Sequence, residues 1–255
     1  GEPAASWCAD DLEAIDPDAC FAAPADERLP ATLVVYLHGR YDDGGAAEEL
    51  DRQTRLARLA TERGFAVLAL HGVRGECNAA GYERHFCWPS NERNEGDGPS
   101  FAARLSGSIA RARERLGPGK NVLLGFSNGG YFAELVAKRA LVPFDAVAVA
   151  HGGPVGAIDA VPEHAPPMLL VTSEDAADPE MRKLEAQLAS AHWPHALVAR
   201  EGGHSLPDWD LDVVLTFFAR VLDEGFPLDP PLASRSVRDG GAEIPGDGGL
   251  DLRRL

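Results

Sequence analysis

The sequence predicts an α/β fold, a mostly parallel central sheet with helices on both faces. Three observations predict it. Short apolar runs recur at 32–38, 65–71, 121–126, 145–151, 167–172 and 196–200. Segments with helical spacing of apolar residues separate several of them, and glycine or proline punctuates most junctions. Strand and helix that alternate in this way build parallel sheets through crossover connections.

Each element follows from local pattern. The run 32–38 (Thr-Leu-Val-Val-Tyr-Leu-His) lies between Pro30 and Gly39 and suits a buried strand. Segment 48–63 places Leu50, Leu56, Leu59 and Ala60 on one helical face, and Gly64 closes it. A strand at 65–71 precedes 28 residues, 72–99, rich in Gly, Asn, Arg and aromatics and without a period. Loops that long inside a compact domain are usually functional or disordered, and the Cys77/Cys87 pair favours order. Ser100 is the expected cap of a helix carrying Phe101, Leu105, Ile109, Ala112 and Leu116, which Gly117-Pro118-Gly119 ends. A strand at 121–126 runs straight into a helix at about 128–141. Further strands at 145–151, 167–172 and 196–200 and helices at about 179–191 and 208–223 complete the pattern. Residues 1–30 read as an N-terminal arm, 31–223 as one α/β domain, and 224–255, dominated by Pro, Gly and Asp, as an extended or disordered tail.

Composition narrows the possibilities. The formal charge of −16 over 255 residues repels phosphate backbones and anionic lipid, so neither nucleic acid nor a charged membrane surface is an expected partner. No stretch approaches the ~20 apolar residues of a membrane span. The chain opens at Gly1 rather than Met, which reads as a start introduced for expression or as a mature form freed of a leader. Four cysteines fall into two local pairs, Cys8 with Cys20 and Cys77 with Cys87, without Cys-x-x-Cys spacing. Two short-loop disulfides in an oxidising compartment are the preferred reading, against four free thiols in the cytosol. The expected location is secreted, periplasmic or cell-surface. The sequence sets no oligomeric state.

The chemistry gathers around Gly125-Phe126-Ser127-Asn128-Gly129, a G-x-S-x-G pentapeptide directly after an apolar strand and directly before a helix. A serine on so sharp a turn needs small neighbours two residues either side, and the helix N-terminus behind it favours developing negative charge. Such a hydroxyl needs a base. Among eight histidines, His204 in Gly202-Gly203-His204 lies after the last strand, and its loop leaves the same rim of the sheet as the serine turn. His151 also follows a strand but reads as structural. The acid that orients the base should follow the strand at 167–172. Asp175 is preferred there, with Asp178 either a helix cap or the alternative acid. Oxyanion donors are expected from the backbone N–H groups of Asn128 and of Arg40 or Tyr41, Arg40 being preferred. Tyr41 and Trp88 are candidate pocket residues. The loop carrying Tyr82, His85, Phe86 and Trp88 reads equally as an overhanging pocket wall or as a packed satellite core. The run Asp208-x-Asp210-x-Asp212 has Val213 where a calcium loop needs its turn glycine, so it reads as acidic residues at a helix start rather than a metal site.

Taken together, Leu37-His38-Gly39, Gly125-Phe126-Ser127-Asn128-Gly129, the acid after the next-to-last strand and Gly202-Gly203-His204 resemble the α/β-hydrolase superfamily over about residues 31–222. Within it, the Cys87-Trp88-Pro89 step is similar to the secreted polyhydroxybutyrate depolymerase and feruloyl or acetylxylan esterase group, although Asn128 stands where that group often has alanine or serine. The resemblance implies cleavage of small-molecule or polymeric carboxylic esters through an acyl-enzyme, without metal or organic cofactor. A thioesterase or serine peptidase on the same fold, and a non-catalytic binding protein of that fold, are the alternatives.

Overall fold

A computed structural model describes residues 7–24, 31–77, 79–91, 94–174, 178–229 and 231–232. The described residues form ten strands: β1 (Glu13–Asp16), β2 (Ala19–Ala22), β3 (Leu33–Leu37), β4 (Ala66–Leu70), β5 (Val73–Arg74), β6 (Phe86–Cys87), β7 (Asn121–Phe126), β8 (Ala146–Ala150), β9 (Met168–Ser173) and β10 (His195–Arg200). Five helices join them: α1 (Ala46–Thr61), α2 (Gly98–Leu116), α3 (Asn128–Lys138), α4 (Pro179–Ser190) and α5 (Asp208–Glu224).

Eight strands form one sheet in the order β1-β2-β4-β3-β7-β8-β9-β10. From β4 to β10 every pairing is parallel, whereas β1 and β2 add on antiparallel. Strands covered on both faces must be apolar throughout, and β3, β4 and β8 are buried at every position. Alternate residues feed the two layers. Leu33, Val35 and Leu37 face a core shared with α2, α3 and α4, through Phe101, Leu105, Phe132, Leu135, Met181 and Leu184. Val34 and Tyr36 face the opposite core, filled from α1 and α5 by Leu56, Leu59, Leu211, Val214, Phe217 and Phe218.

The arm holds more structure than its pattern suggested. A four-residue Ala-Cys-Phe-Ala strand carries no readable period, but it pairs through backbone groups with an edge that β4 already provides. Side chains then fix the arm. Cys8 and Cys20 are joined with Cα atoms 5.4 Å apart. Buried Gln53 of α1 accepts from the Ala9 N–H and donates to the Trp7 carbonyl, at 3.1 and 3.2 Å. Cys77 and Cys87 form the second disulfide, inside the 72–99 segment, whose described residues carry β5, β6 and a short 3₁₀ turn at Glu95–Asp97. Helix α2 begins at Gly98 rather than after Ser100, whose hydroxyl instead donates to the Asp97 carbonyl at 2.8 Å. In the tail, Phe226, Leu228 and Leu232 rest against the α1/α5 core. The expectation of extension or disorder for 233–255 concerns residues outside those described. Among the described residues no helix is long and apolar enough to cross a membrane.

Phe217 is fully buried in the α1/α5 layer. Phe217→Ala is expected to destabilise the fold by about 3–5 kcal/mol through lost transfer free energy and the cavity left behind, measured by urea unfolding.

Candidate active site

At the carboxyl end of β7 the chain reverses into α3 within one residue. Ser127 sits at φ 53°, ψ −119°, a conformation that L-residues adopt only under constraint. Its neighbours supply the constraint. A Cβ on Gly125 would lie 2.3 Å from the Gly129 carbonyl oxygen, and one on Gly129 would lie 2.2 Å from that of Leu37. Helix and strand therefore approach more closely than any side chain permits. The Ser127 N–H donates to the Ala150 carbonyl (2.8 Å), and the Ser127 carbonyl accepts from Gly130 (2.8 Å), tying the turn to β8 and to the first turn of α3.

The imidazole of His204 reaches this serine, with Nε2 2.8 Å from Ser127 Oγ. It stands on the loop between β10 and α5, and buried Arg200 organises that loop. The guanidinium donates to the carbonyls of Glu201 (3.1 Å), Gly203 (3.3 Å) and Ser205 (3.0 Å) and to the Ser205 hydroxyl (3.1 Å). Asp210, fully buried on α5, holds Arg200 through two bonds of 2.6 and 3.0 Å. Such a bidentate pair fixes orientation as well as charge. Neither residue was singled out for this role from sequence, although a charge ending the apolar 196–200 run is a legible signal. Burial pushes the His204 pKa below its ordinary value, helped by His151, Arg40 and Arg52 and opposed by Asp178.

Beneath His204 lies a second histidine. The rings of His151 and His204 meet edge to face, centroids 5.3 Å apart. His151 is buried, at φ 51°. Its Nδ1 bonds Asp178 Oδ2 at 3.2 Å and its Nε2 faces Asp210 Oδ2 at 3.7 Å. Burial alone would lower the His151 pKa; the two carboxylates more than offset this and raise it. Asp178 also accepts from the Thr172 hydroxyl at 3.2 Å. Asp178 stands at the N-cap position of α4, as one reading had it, but its side chain makes no capping bond: the carboxylate turns back toward His151 and the end of β9. Asp175, the preferred acid, lies outside the described residues.

The loop after β3 forms the other wall. Gly39 is needed for close approach, since a Cβ there would lie 3.2 Å from Ser127 Cβ and 3.0 Å from the Phe126 ring. Fully buried His38 sets the course of this loop. Its Nε2 accepts from the Gly72 N–H (2.8 Å), so the proton sits on Nδ1, which donates to the Gly39 carbonyl (2.6 Å). Burial drives its pKa down to about 3, which keeps this ring neutral. No hydrogen bond among the described residues occupies the backbone N–H of Arg40 or of Asn128. The Asn128 side chain acts elsewhere. Its Oδ1 accepts from the Trp88 N–H (2.8 Å) and its Nδ2 donates to Ser90 Oγ (2.6 Å).

Of the two readings of the loop, pocket wall or packed satellite core, Trp88 takes the second. The residue is only 3% exposed; its ring stacks on Phe132 at 5.7 Å and its Nε1 donates to the His38 carbonyl. An indole so enclosed serves as a core block joining the 72–99 segment to the sheet. Tyr41, the other pocket candidate, is half-buried. Its hydroxyl bonds His71 Nε2 at 2.8 Å and its ring packs on Phe86. The three aspartates at the start of α5 diverge: Asp208 pairs with Arg55 and Arg58, Asp212 with Arg63, and Asp210 with Arg200.

Solved structures share this architecture. Esterase PE8 aligns over 79% of this chain and 97% of its own, with TM-score 0.56 and 20% identity. SOBER1 of Arabidopsis thaliana aligns over 76% and 100%, with TM-score 0.59 and 20% identity. A phospholipase/carboxylesterase from Dyadobacter fermentans aligns over 79% and 96%, with TM-score 0.51 and 16% identity. The fold is the α/β-hydrolase fold. No protein-family model and no curated protein sequence matches the chain. In this α/β-hydrolase fold the Ser127 turn (the elbow between β7 and α3), the His204 loop and the Gly39 loop all leave carboxyl ends of parallel strands, where open α/β sheets place their crevices.

Arg200→Met is expected to destabilise the protein by about 3–5 kcal/mol, because it strands the buried Asp210 carboxylate. Asp210→Asn combined with Arg200→Met should recover part of that loss. A double-mutant cycle in urea unfolding measures the coupling.

Proposed function

We propose that the chain is a serine hydrolase that cleaves carboxylic esters through an acyl-enzyme. The supporting observation is the 2.8 Å approach of His204 Nε2 to Ser127 Oγ on a strained strand–helix turn. Ser127 Oγ attacks the ester carbonyl carbon while its proton passes to His204 Nε2. The N–H groups of Arg40 and Asn128 receive the oxyanion. The tetrahedral species then expels the alcohol, which takes the proton from His204. Water repeats the sequence in reverse: His204 accepts its proton, the hydroxide attacks the acyl group, and Ser127 recovers its hydrogen as the acid leaves. Asp175 is the acid that holds the His204 tautomer; the alternative, Asp178, is already engaged by His151 and Thr172. Ester chemistry is the bond class named for PE8 and for the Dyadobacter protein. The finer reading keeps the polyhydroxybutyrate depolymerase and feruloyl or acetylxylan esterase group, on the Cys87-Trp88-Pro89 step. Two disulfides support an oxidising, extracytoplasmic location.

Ser127→Ala is expected to lower kcat on short-chain p-nitrophenyl esters by on the order of 10⁴-fold or more, with the fold retained by circular dichroism. Covalent labelling by a fluorophosphonate should disappear with it. Turnover at the native rate in Ser127→Ala would refute the assignment. A parallel series of esters, thioesters and peptides ranks the bond classes.

The base works as neutral imidazole, so kcat/KM falls as pH drops through the free-enzyme pKa of His204. Because that pKa is depressed, the acid limb should lie below the ordinary 6.5, and activity should persist into mildly acidic solution. A pH–rate profile of kcat/KM locates the limb.

A further inference from the structure

We infer that the guanidinium of Arg40 is a receptor for a carboxylate on the substrate, so that preferred esters carry an acidic group near the scissile bond. This rests on the hydrolase reading above and adds a substrate class to it. Arg40 follows Gly39, the residue packed against Ser127, and its side chain is exposed at the rim of the site. The guanidinium carbon lies 3.7 Å from the centre of the Tyr82 ring, on the 72–99 segment that forms the facing wall. Stacking engages the flat face of the group and leaves its in-plane N–H edges available, the geometry that receives a carboxylate through two parallel bonds.

The chain carries 40 acidic residues against 24 lysines and arginines, yet Arg40 has no carboxylate partner among the described residues. The nearby acids on its own loop and helix are otherwise engaged. Asp42 accepts from the Gly44 N–H, Asp43 pairs with Arg74, and Glu48 and Glu49 both pair with Arg52. On the facing segment Glu83 accepts from the Gly81 N–H. Arg52, the other arginine that acts on His204, is thereby neutralised, whereas Arg40 keeps its charge for a ligand. In a molecule of net charge −16 an anionic substrate approaches against the overall field, so a local cation at the mouth has a defined role.

The carboxylate could belong to the acyl or to the alcohol part, and paired probes separate the two. Monomethyl succinate against dimethyl succinate places the charge on the acyl side; acetoxyacetate against methyl acetoxyacetate places it on the alcohol side. The quantity read is the ratio of kcat/KM for the charged probe to that for its neutral partner. This ratio cancels any effect of substitution on the Arg40 backbone N–H, which serves both probes. Arg40→Gln should lower the ratio about tenfold in one of the two pairs. Arg40→Lys, a point charge without the planar fork, should lower it by less. Added sodium chloride should erode the ratio in the native protein and leave Arg40→Gln unmoved. Tyr82→Leu, which removes the stacking platform, should also reduce it and serves as a second test should Arg40→Gln fail to fold. Neutral esters turned over through Ser127, with a ratio that neither Arg40→Gln nor Tyr82→Leu changes, would overturn this inference alone. Failure of every ester to turn over in a Ser127-dependent way would overturn the hydrolase reading itself.

Discussion

The contact on which the rest of the site depends is the approach of the α3 N-terminus to the end of β3. Where Gly129 meets the Leu37 carbonyl there is no room for a single carbon atom, and Gly125 meets Gly129 just as closely. Closing that gap forces Ser127 into a positive-φ turn at the carboxyl-end rim of the sheet, where its hydroxyl meets His204. The cost of that conformation is local, of order 1–3 kcal/mol, and the two apolar cores on either side of β7 offset it many times over. A strained turn is durable only where a stiff scaffold surrounds it. Here β7 lies near the middle of an eight-stranded sheet, paired on both sides.

The histidine side is secured by a different kind of force. The His204 loop is anchored in the α1/α5 core by Leu206, but its two successive glycines and His204 itself bring no such burial, so packing leaves that stretch unfixed. Charge fixes it instead. Arg200 supplies donors to three of its carbonyls, and Asp210 neutralises and aims Arg200 from α5. Asp210 and Asp178 also bracket His151, whose ring supports that of His204. Two carboxylates facing one guanidinium and one imidazole make a cluster that is neutral when His151 is protonated, the state its raised pKa favours. Buried charge of this kind contributes little net stability. Its value lies in direction, since each bond specifies an angle that apolar packing would leave free.

The sequence was legible where a residue type admits few roles. Glycines flanking a serine between a strand and a helix announced the elbow, and six apolar runs announced the parallel strands. The arm strands β1 and β2 were not legible, because four-residue segments pairing with an edge satisfy backbone groups without needing a period. Trp88 was left open for a physical reason: an aromatic in a long polar loop suits a ligand platform or a packed core equally, and only the fold shows that it reaches back to Phe132. Arg200 showed only as a charge ending an apolar run and Asp210 only as one of three aspartates at a helix start; that the two pair across the His204 loop is set by the fold and not by a local pattern. Asn128 was noticed as a departure, and the structure supplies its cause in the bonds to Trp88 and Ser90.

That last pair of bonds constrains how the site can select its ligand. Asn128, the residue that follows Ser127, holds the 72–99 segment by its side chain. The same segment is fastened again by Trp88 on His38, by the Gly72 N–H on His38 and by the Phe86 N–H on the Tyr41 carbonyl. The Cys77–Cys87 link closes the segment on itself. A wall attached at so many points to the loops that carry Gly39 and Ser127 cannot swing away without disturbing the elbow. In the proposed hydrolase, selection would therefore come from fixed groups at the rim rather than from closure over the substrate. In such a rim, the identity and charge of a few exposed side chains such as Arg40 count for more than the length or mobility of the segment that carries them.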